Sequence, residues 1–131
     1  MNERISKEFE LLMSAYPSSE FREDSQWVLI RGYRLPLGMW NKDVVDVCFQ
    51  ITAGYPGNPP YSFHVCGGIR IRGTDIKPDG YEEPSQTPFP GVWGRFSWQQ
   101  DNSWRATADV NSGGNILNFV RSLADRFKEG K

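Results

Sequence analysis

Ile5, Phe9, Leu12 and Tyr16 recur at spacings of four, three and four residues, with Glu3, Arg4, Lys7, Glu8 and Glu10 around the rest. One apolar stripe with a charged remainder predicts an amphipathic helix over residues 3–16, ended by Pro17-Ser18-Ser19. The unbroken run Trp27, Val28, Leu29, Ile30, with Tyr33, reads as a strand apolar on both faces within 26–35. Turn residues follow at 36–41. From Val44 to Thr52 the chain alternates, with Val45, Val47, Phe49 and Ile51 on one face and Asp46, Cys48, Gln50 and Thr52 on the other, as in a half-buried strand. Tyr61, Phe63 and Val65 repeat the alternation, and Ile69 and Ile71 are expected to continue it past a bulge at Gly67-Gly68. Residues 72–97 carry Gly73, Pro78, Gly80, Pro84, Pro88, Pro90, Gly91 and Gly94 with no apolar period, so a long irregular loop is expected. Ile116, Leu117, Val120, Leu123, Ala124 and Phe127 form a wide helical stripe that leaves Arg121, Asp125, Arg126 and Lys128 outward. Ser112 or Asn115 suits its start; Lys128 and Gly130 suit its end.

Between the second and third strands lies Tyr55-Pro56-Gly57-Asn58-Pro59-Pro60. Its prolines fix φ, remove backbone donors and bar the preceding residues from helical geometry, so the chain leaves one strand and enters the next in a set way. The pattern predicts one α+β domain over 1–131: an N-terminal helix, a four-stranded antiparallel meander, a long irregular loop and a C-terminal helix. With Trp 5, Tyr 5 and Phe 8 in 131 residues, the core should rest on large rings.

Fifteen basic residues balance sixteen acidic ones, which disfavours nucleic acid as a partner. No apolar stretch approaches the roughly 18 residues that span a bilayer, and Met1-Asn2-Glu3-Arg4 does not open a signal peptide. No membrane association and a cytoplasmic location are therefore expected. Cys48 and Cys66 fall in different strands and read as two buried thiols rather than a disulfide. One histidine, two separated cysteines and no CxxC or HxxxH spacing offer no metal site, and Gly67-Gly68 and Gly113-Gly114 lack the residues of a phosphate loop, so no cofactor is expected.

The order of helix, meander, Tyr55-Pro56 with Pro59-Pro60, the following Phe63, a tryptophan-rich stretch and a final helix resembles the ubiquitin-conjugating (UBC-like/RWD) superfamily. Trp98-Gln99-Gln100-Asp101-Asn102-Ser103-Trp104-Arg105 and then Asp109 resemble its divergent prokaryotic branch, encoded with ubiquitin-like proteins, activating enzymes and deubiquitinase-like peptidases in antiviral defence operons. The resemblance implies a ubiquitin-conjugating-enzyme-like component whose partners are a ubiquitin-like protein and its activating enzyme, the latter docking on Glu3, Arg4, Lys7 and Glu8. A solvated charged helix face is the competing reading of those four residues. The family's His-Pro-Asn triplet is absent, and no cysteine follows Cys66. The resemblance therefore leaves two roles open: transfer by a non-canonical residue, or a non-catalytic RWD-like interaction module.

Cys66 follows the corner closely and reads as structural, since a thioester-bearing thiol must be partly exposed and easily ionised. His64 reads as a structural histidine, with a Cys66/His64 pair the competing alternative because i and i+2 share a strand face. Ser85, Thr87, Ser97 and Ser103 are the hydroxyls near the missing cysteine, among the carboxylates Asp75, Asp79, Glu82, Glu83 and Asp101; each hydroxyl needs a positioned base to carry an acyl group. Ser97, between two aromatics, is the leading candidate among them, against the plainer reading of loop serines bonded to turns. Trp93, Phe96, Trp98 and Trp104 should mostly seal the core beneath the last helix. Whichever of Trp93, Trp98 and Trp104 stays exposed would anchor a partner, with Arg95 and Arg105 beside it.

Overall fold

The structure, a computed structural model, describes residues 3–99 and 104–131. It has two helices, α1 (Glu3–Ala15) and α2 (Ile116–Lys128). Six strands lie between them: β1 (Glu20–Arg22), β2 (Trp27–Arg34), β3 (Val44–Gln50), β4 (Tyr61–Cys66), β5 (Tyr81–Ser85) and β6 (Trp93–Gln99). They form one antiparallel sheet in the order β1-β2-β3-β4-β6-β5. The helices and the three central strands fall where periodicity puts them, and the proline corner joins β3 to β4. Four strands in a meander undercounts the sheet. The missed ones are the three-residue β1 and, inside the supposed irregular loop, β5 and β6, with β6 inserted between β4 and β5. Nor does Ile69–Ile71 extend β4: Ile69 is buried, and Ile71 makes an isolated bridge to Trp40.

One face of the sheet carries the main core. Val28, Ile30, Val47, Phe49, Phe63, Val65 and Phe96 are buried there with Phe119, Val120, Leu123 and Phe127 of α2. Phe127 meets the rings of Tyr33, Trp40, Phe63 and Phe96, with centroids 5.6–6.0 Å apart. Two polar tips pin α2 without leaving an unpaired donor: Tyr33 Oη donates to Val120 O at 2.9 Å, and Trp40 Nε1 to Phe127 O at 3.0 Å. Asn115 caps the helix, its Oδ1 accepting from Asn118 N–H at 2.6 Å. Arg126, expected to face outward, is buried. Its guanidinium lies 4.7 Å from the Phe96 ring centroid and donates to Asp79 O and Lys131 O, so the stem packs while the head finds carbonyls.

The opposite face is covered too. Leu29, Cys48, Phe89 and Trp93 form a second, smaller cluster against Trp27 and Cys66. This is why Cys48, on the face expected to be open, is fully buried.

Glu8 ties the ends of the chain to the corner. It is fully buried, not exposed as its place among the charged positions of α1 suggested. Its Oε2 accepts from Arg4 Nε at 2.8 Å, and its Oε1 accepts from Ile116 N–H at 2.7 Å and from the Tyr55 hydroxyl. Burial first, and the Glu8 carboxylate second, push the Tyr55 phenol up, so it stays a donor. Ile116 N–H belongs to the first turn of α2, where backbone donors lack partners within the helix and a carboxylate suits the helix dipole.

Candidate functional site around His64

His64 projects from β4 onto the smaller-cluster face, where β4 pairs it with Cys48 on β3 and Arg95 on β6. Its Nδ1 lies 2.8 Å from Ser85 Oγ. With the ring hydrogen on Nε2, Nδ1 accepts from the hydroxyl; the other tautomer reverses the roles. The two residues meet across β6, near the irregularity between Glu82 and Ser85 in the β5–β6 ladder. The His64 ring is 5.3 Å from Trp27. Burial first, and the nearby Arg95 cation second, hold the imidazole down at about 4, so it is neutral at physiological pH.

Beside this pair opens a cleft of about 270 Å³, lined by Trp27, Gln50, Tyr61, Ser62, His64 and Arg95 among others. Arg95 crosses it, donating from Nε to Ser62 Oγ at 3.0 Å with its guanidinium 5.8 Å from the exposed Tyr61 ring. Ser62 has a positive φ of 61° where the β4–β6 register shifts, and this irregularity separates Tyr61 from the regular ladder that begins at Phe63. A neutral imidazole, a hydroxyl on it, a cation and an open cleft can together hold a carboxyl-derived group near an oxygen nucleophile.

The other sequence candidates divide. Cys66 is a half-buried thiol two residues from His64 on the same face, and His64 Nδ1 is turned to Ser85. Cys48 is a free, buried thiol whose pKa burial raises far above the ordinary cysteine range, so it is inert. Ser97 is exposed on β6, its backbone N–H donating to Gly80 O at 2.8 Å; the histidine went to Ser85. Ser103 and Asp101 lie outside the described residues. Sequence reasoning named Ser85 only as one of several hydroxyls, because no local spacing shows that β6 brings it to His64.

Trp93 is buried, with Nε1 donating to Pro90 O at 3.2 Å, and belongs to the smaller cluster rather than to the core under α2. Trp98 is half-buried against Phe63 and Phe119. Trp104 is buried on the proline corner, donating from Nε1 to Pro56 O at 2.9 Å with its ring 5.9 Å from Tyr55. Neither Trp93 nor Trp104 is thus left as an exposed anchor. Arg105 is exposed, Arg95 half-buried. On α1, Glu3 and Lys7 form an exposed ion pair at 3.2 Å, and Arg4 Nη1 reaches Thr107 O at 2.5 Å. Pro59 and Pro60 lead directly into β4. Among the described residues, no group of three or more His, Cys, Asp or Glu could hold a metal ion, and no helix is long and apolar enough to cross a membrane.

Comparison with known families matches the chain to the model described as Prokaryotic E2 family E, over residues 8–122. It starts within α1, takes in all six strands and the corner, and ends midway along α2. No curated protein and no solved structure matches the chain.

Proposed function

The chain belongs to prokaryotic E2 family E, and from that premise we propose that it is the E2-like component of a bacterial ubiquitin-like conjugation pathway serving antiphage defence. In this reading it binds a ubiquitin-like protein and the cognate activating enzyme in the cytoplasm and needs no thioester cysteine. The observation that carries it is the family match over residues 8–122, in a chain whose last cysteine is the half-buried Cys66 of β4.

The group that suits covalent transfer is Ser85, with His64 as its base. Ser85 Oγ attacks the carbonyl carbon of the ubiquitin-like C-terminus, held on the activating enzyme as a thioester. The O–C bond forms and the C–S bond breaks, and the hydroxyl proton passes to His64 Nδ1 and on to the leaving thiolate. Glu3, Arg4 and Lys7 on α1 offer the activating enzyme its surface. One observation favours the non-catalytic, RWD-like alternative: an imidazole held at about 4 is a weak base.

The test combines the protein with the activating enzyme and ubiquitin-like protein of the same bacterium and ATP, and resolves the products with and without reductant or mild base. A reductant-stable, base-labile adduct lost in Ser85→Ala and His64→Ala supports transfer through Ser85. A reductant-labile adduct lost in Cys66→Ala moves the chemistry to Cys66. Binding without an adduct identifies the interaction module, and neither binding nor adduct rejects the pathway.

A further inference from the structure

A second cleft shares no lining residue with the one beside His64 and has no part in the reading above. It measures about 650 Å³, within the range of ligand-binding sites, and opens between residues 15–18 after α1, residues 31–34 of β2, and Arg121 and Ala124 of α2.

Three features converge there. First, β2 has an open edge. Its pairing with β1 stops at Glu20↔Leu29, and the segment preceding β1 then diverges from β2 with the cleft between them. On its other side, β2 pairs with β3 through Tyr33↔Val45 and Arg34↔Val44, past a bulge after Ile30 where Gly32 has a φ of 73°. Among the described residues, no strand covers the outer edge of 31–34, and an uncovered edge is a template for another extended chain. Second, Arg31, Arg34 and Arg121 line the cleft and no acidic side chain does. Arg31 is held by Glu20 at 3.3 Å, but no carboxylate among the described residues lies within 4.0 Å of Arg34 or Arg121. Two acids lie close by: Asp46 Oδ1 accepts from Gly32 N–H at 3.1 Å, and Asp125, one turn along α2 from Arg121 and near enough to Tyr33 to push its phenol up, makes no ion pair within 4.0 Å with either arginine. Third, the aromatic pair Tyr16–Tyr33, with centroids 6.0 Å apart and planes at 21°, gives the cleft an apolar wall.

We propose that this cleft docks an extended acidic segment of a partner protein. The segment continues the sheet beyond β1 by main-chain bonds to the edge of Arg31–Arg34. Its carboxylates meet Arg34 and Arg121, and an apolar side chain rests on Tyr16 and Tyr33. Guanidinium forks suit carboxylates, and the chain's net charge of −1 makes a long nucleic acid a poor occupant of so local a basic patch. The proposal stands whether or not Ser85 carries an acyl group.

The test is fluorescence anisotropy with the full chain and a labelled eight-residue peptide alternating Glu with Val or Leu. Saturable binding is expected, weakened by added salt and by at least roughly fivefold in Arg34→Ala/Arg121→Ala. The same peptide with Gln for Glu, and one with main-chain N-methyl groups on alternate residues, should each bind more weakly. Arg34 and Arg121 are exposed, so the variant should fold, which circular dichroism checks. Absence of binding up to millimolar peptide overturns the proposal, as does unchanged affinity in the double variant or equal affinity for the Gln peptide. Tighter binding of an oligonucleotide of matched charge through the same arginines also overturns it, in favour of a general polyanion patch. Indifference to N-methylation removes the strand-edge element.

Discussion

Replacing Glu8 should unfasten three parts of the molecule at once. Its carboxylate is fully buried and serves Arg4 Nε at 2.8 Å, Ile116 N–H at 2.7 Å and the Tyr55 hydroxyl. Glu8→Ala leaves a guanidinium without its anion and two donors without acceptors. A stranded buried donor costs about 1–3 kcal/mol, and breaking a buried ion pair by removing one partner about 3–5 kcal/mol. Arg4 keeps some access to water, its side chain being 23% exposed, and it retains the Thr107 carbonyl, so the low end of the ion-pair range applies to it. With every contribution at its low end the total is about 5 kcal/mol, a large part of the about 5–15 kcal/mol that holds a typical domain together. Glu8→Gln keeps one acceptor oxygen and should cost less than half as much. Urea unfolding followed by tryptophan fluorescence measures both; with a slope of about 2 kcal/mol per molar, Glu8→Ala should lower the midpoint by about 2–3 M. Tyr55→Phe should cost about 1–2 kcal/mol alone and much less in the Glu8→Ala background, because the two share one bond. A Glu8→Ala protein within about 1 kcal/mol of the wild type would refute the idea that this carboxylate fastens the helices to the corner.

Three further outcomes are expected. Since His64 is held at about 4 against an ordinary 6.5, the unfolded chain binds a proton between those values that the folded chain does not. Its contribution is therefore whole above about pH 6.5 and shrinks on acidification by up to about 1.4 kcal/mol per pH unit; His64→Gln should flatten the stability-versus-pH curve in that window, and an unchanged slope would count against the buried neutral imidazole. A Cβ on Gly94 would fall 1.9 Å from the Tyr81 hydroxyl, so Gly94→Ala should lower stability by about 1–3 kcal/mol and cost little in a Tyr81→Ala background, as thermal melts of the four proteins would report. In native protein one thiol, Cys66, should react with a thiol reagent while Cys48 reacts only on unfolding; two fast thiols or none would contradict the smaller cluster.

Much of this architecture is written in side-chain periods. Both helices announce themselves through stripes at helical spacing, and β3 through alternation, because the face each turns to the main core is uniformly apolar. The strands that escaped notice lack that contrast. In β6, Trp93 enters the smaller cluster and Phe96 the main core, and Gly94 leaves room for Tyr81, so no two-residue period survives. β5 contributes Tyr81 and interrupts itself at Pro84, and β1 has three residues. Glu8 and Arg126 misled for a related reason. A charged side chain in an amphipathic helix is assigned to water unless its partner is known, and each of these two has a partner more than 40 residues away. The His64–Ser85 contact was hidden by topology, since it depends on a strand inserted between the two that bear it. That both thiols stay free was readable from their separate strands, but of the two expected to be buried only Cys48 is, Cys66 being half-buried. Register adds that Cys48 faces His64, leaving Cys66 on the diagonal, about 7–8 Å away and too far for a bond without backbone movement.

Because Glu8 receives its last donor 108 residues further along the chain, synthesis and completion are out of step. A polypeptide leaving the ribosome makes α1 and then all six strands before Ile116 exists, and until α2 follows, the broad apolar side of the sheet lacks its main cover. The nascent protein thus carries its stickiest surface longest, and the closing helix acts on it as a late clasp, so shortening that helix should betray itself as aggregation during translation rather than as a modest drop in melting temperature.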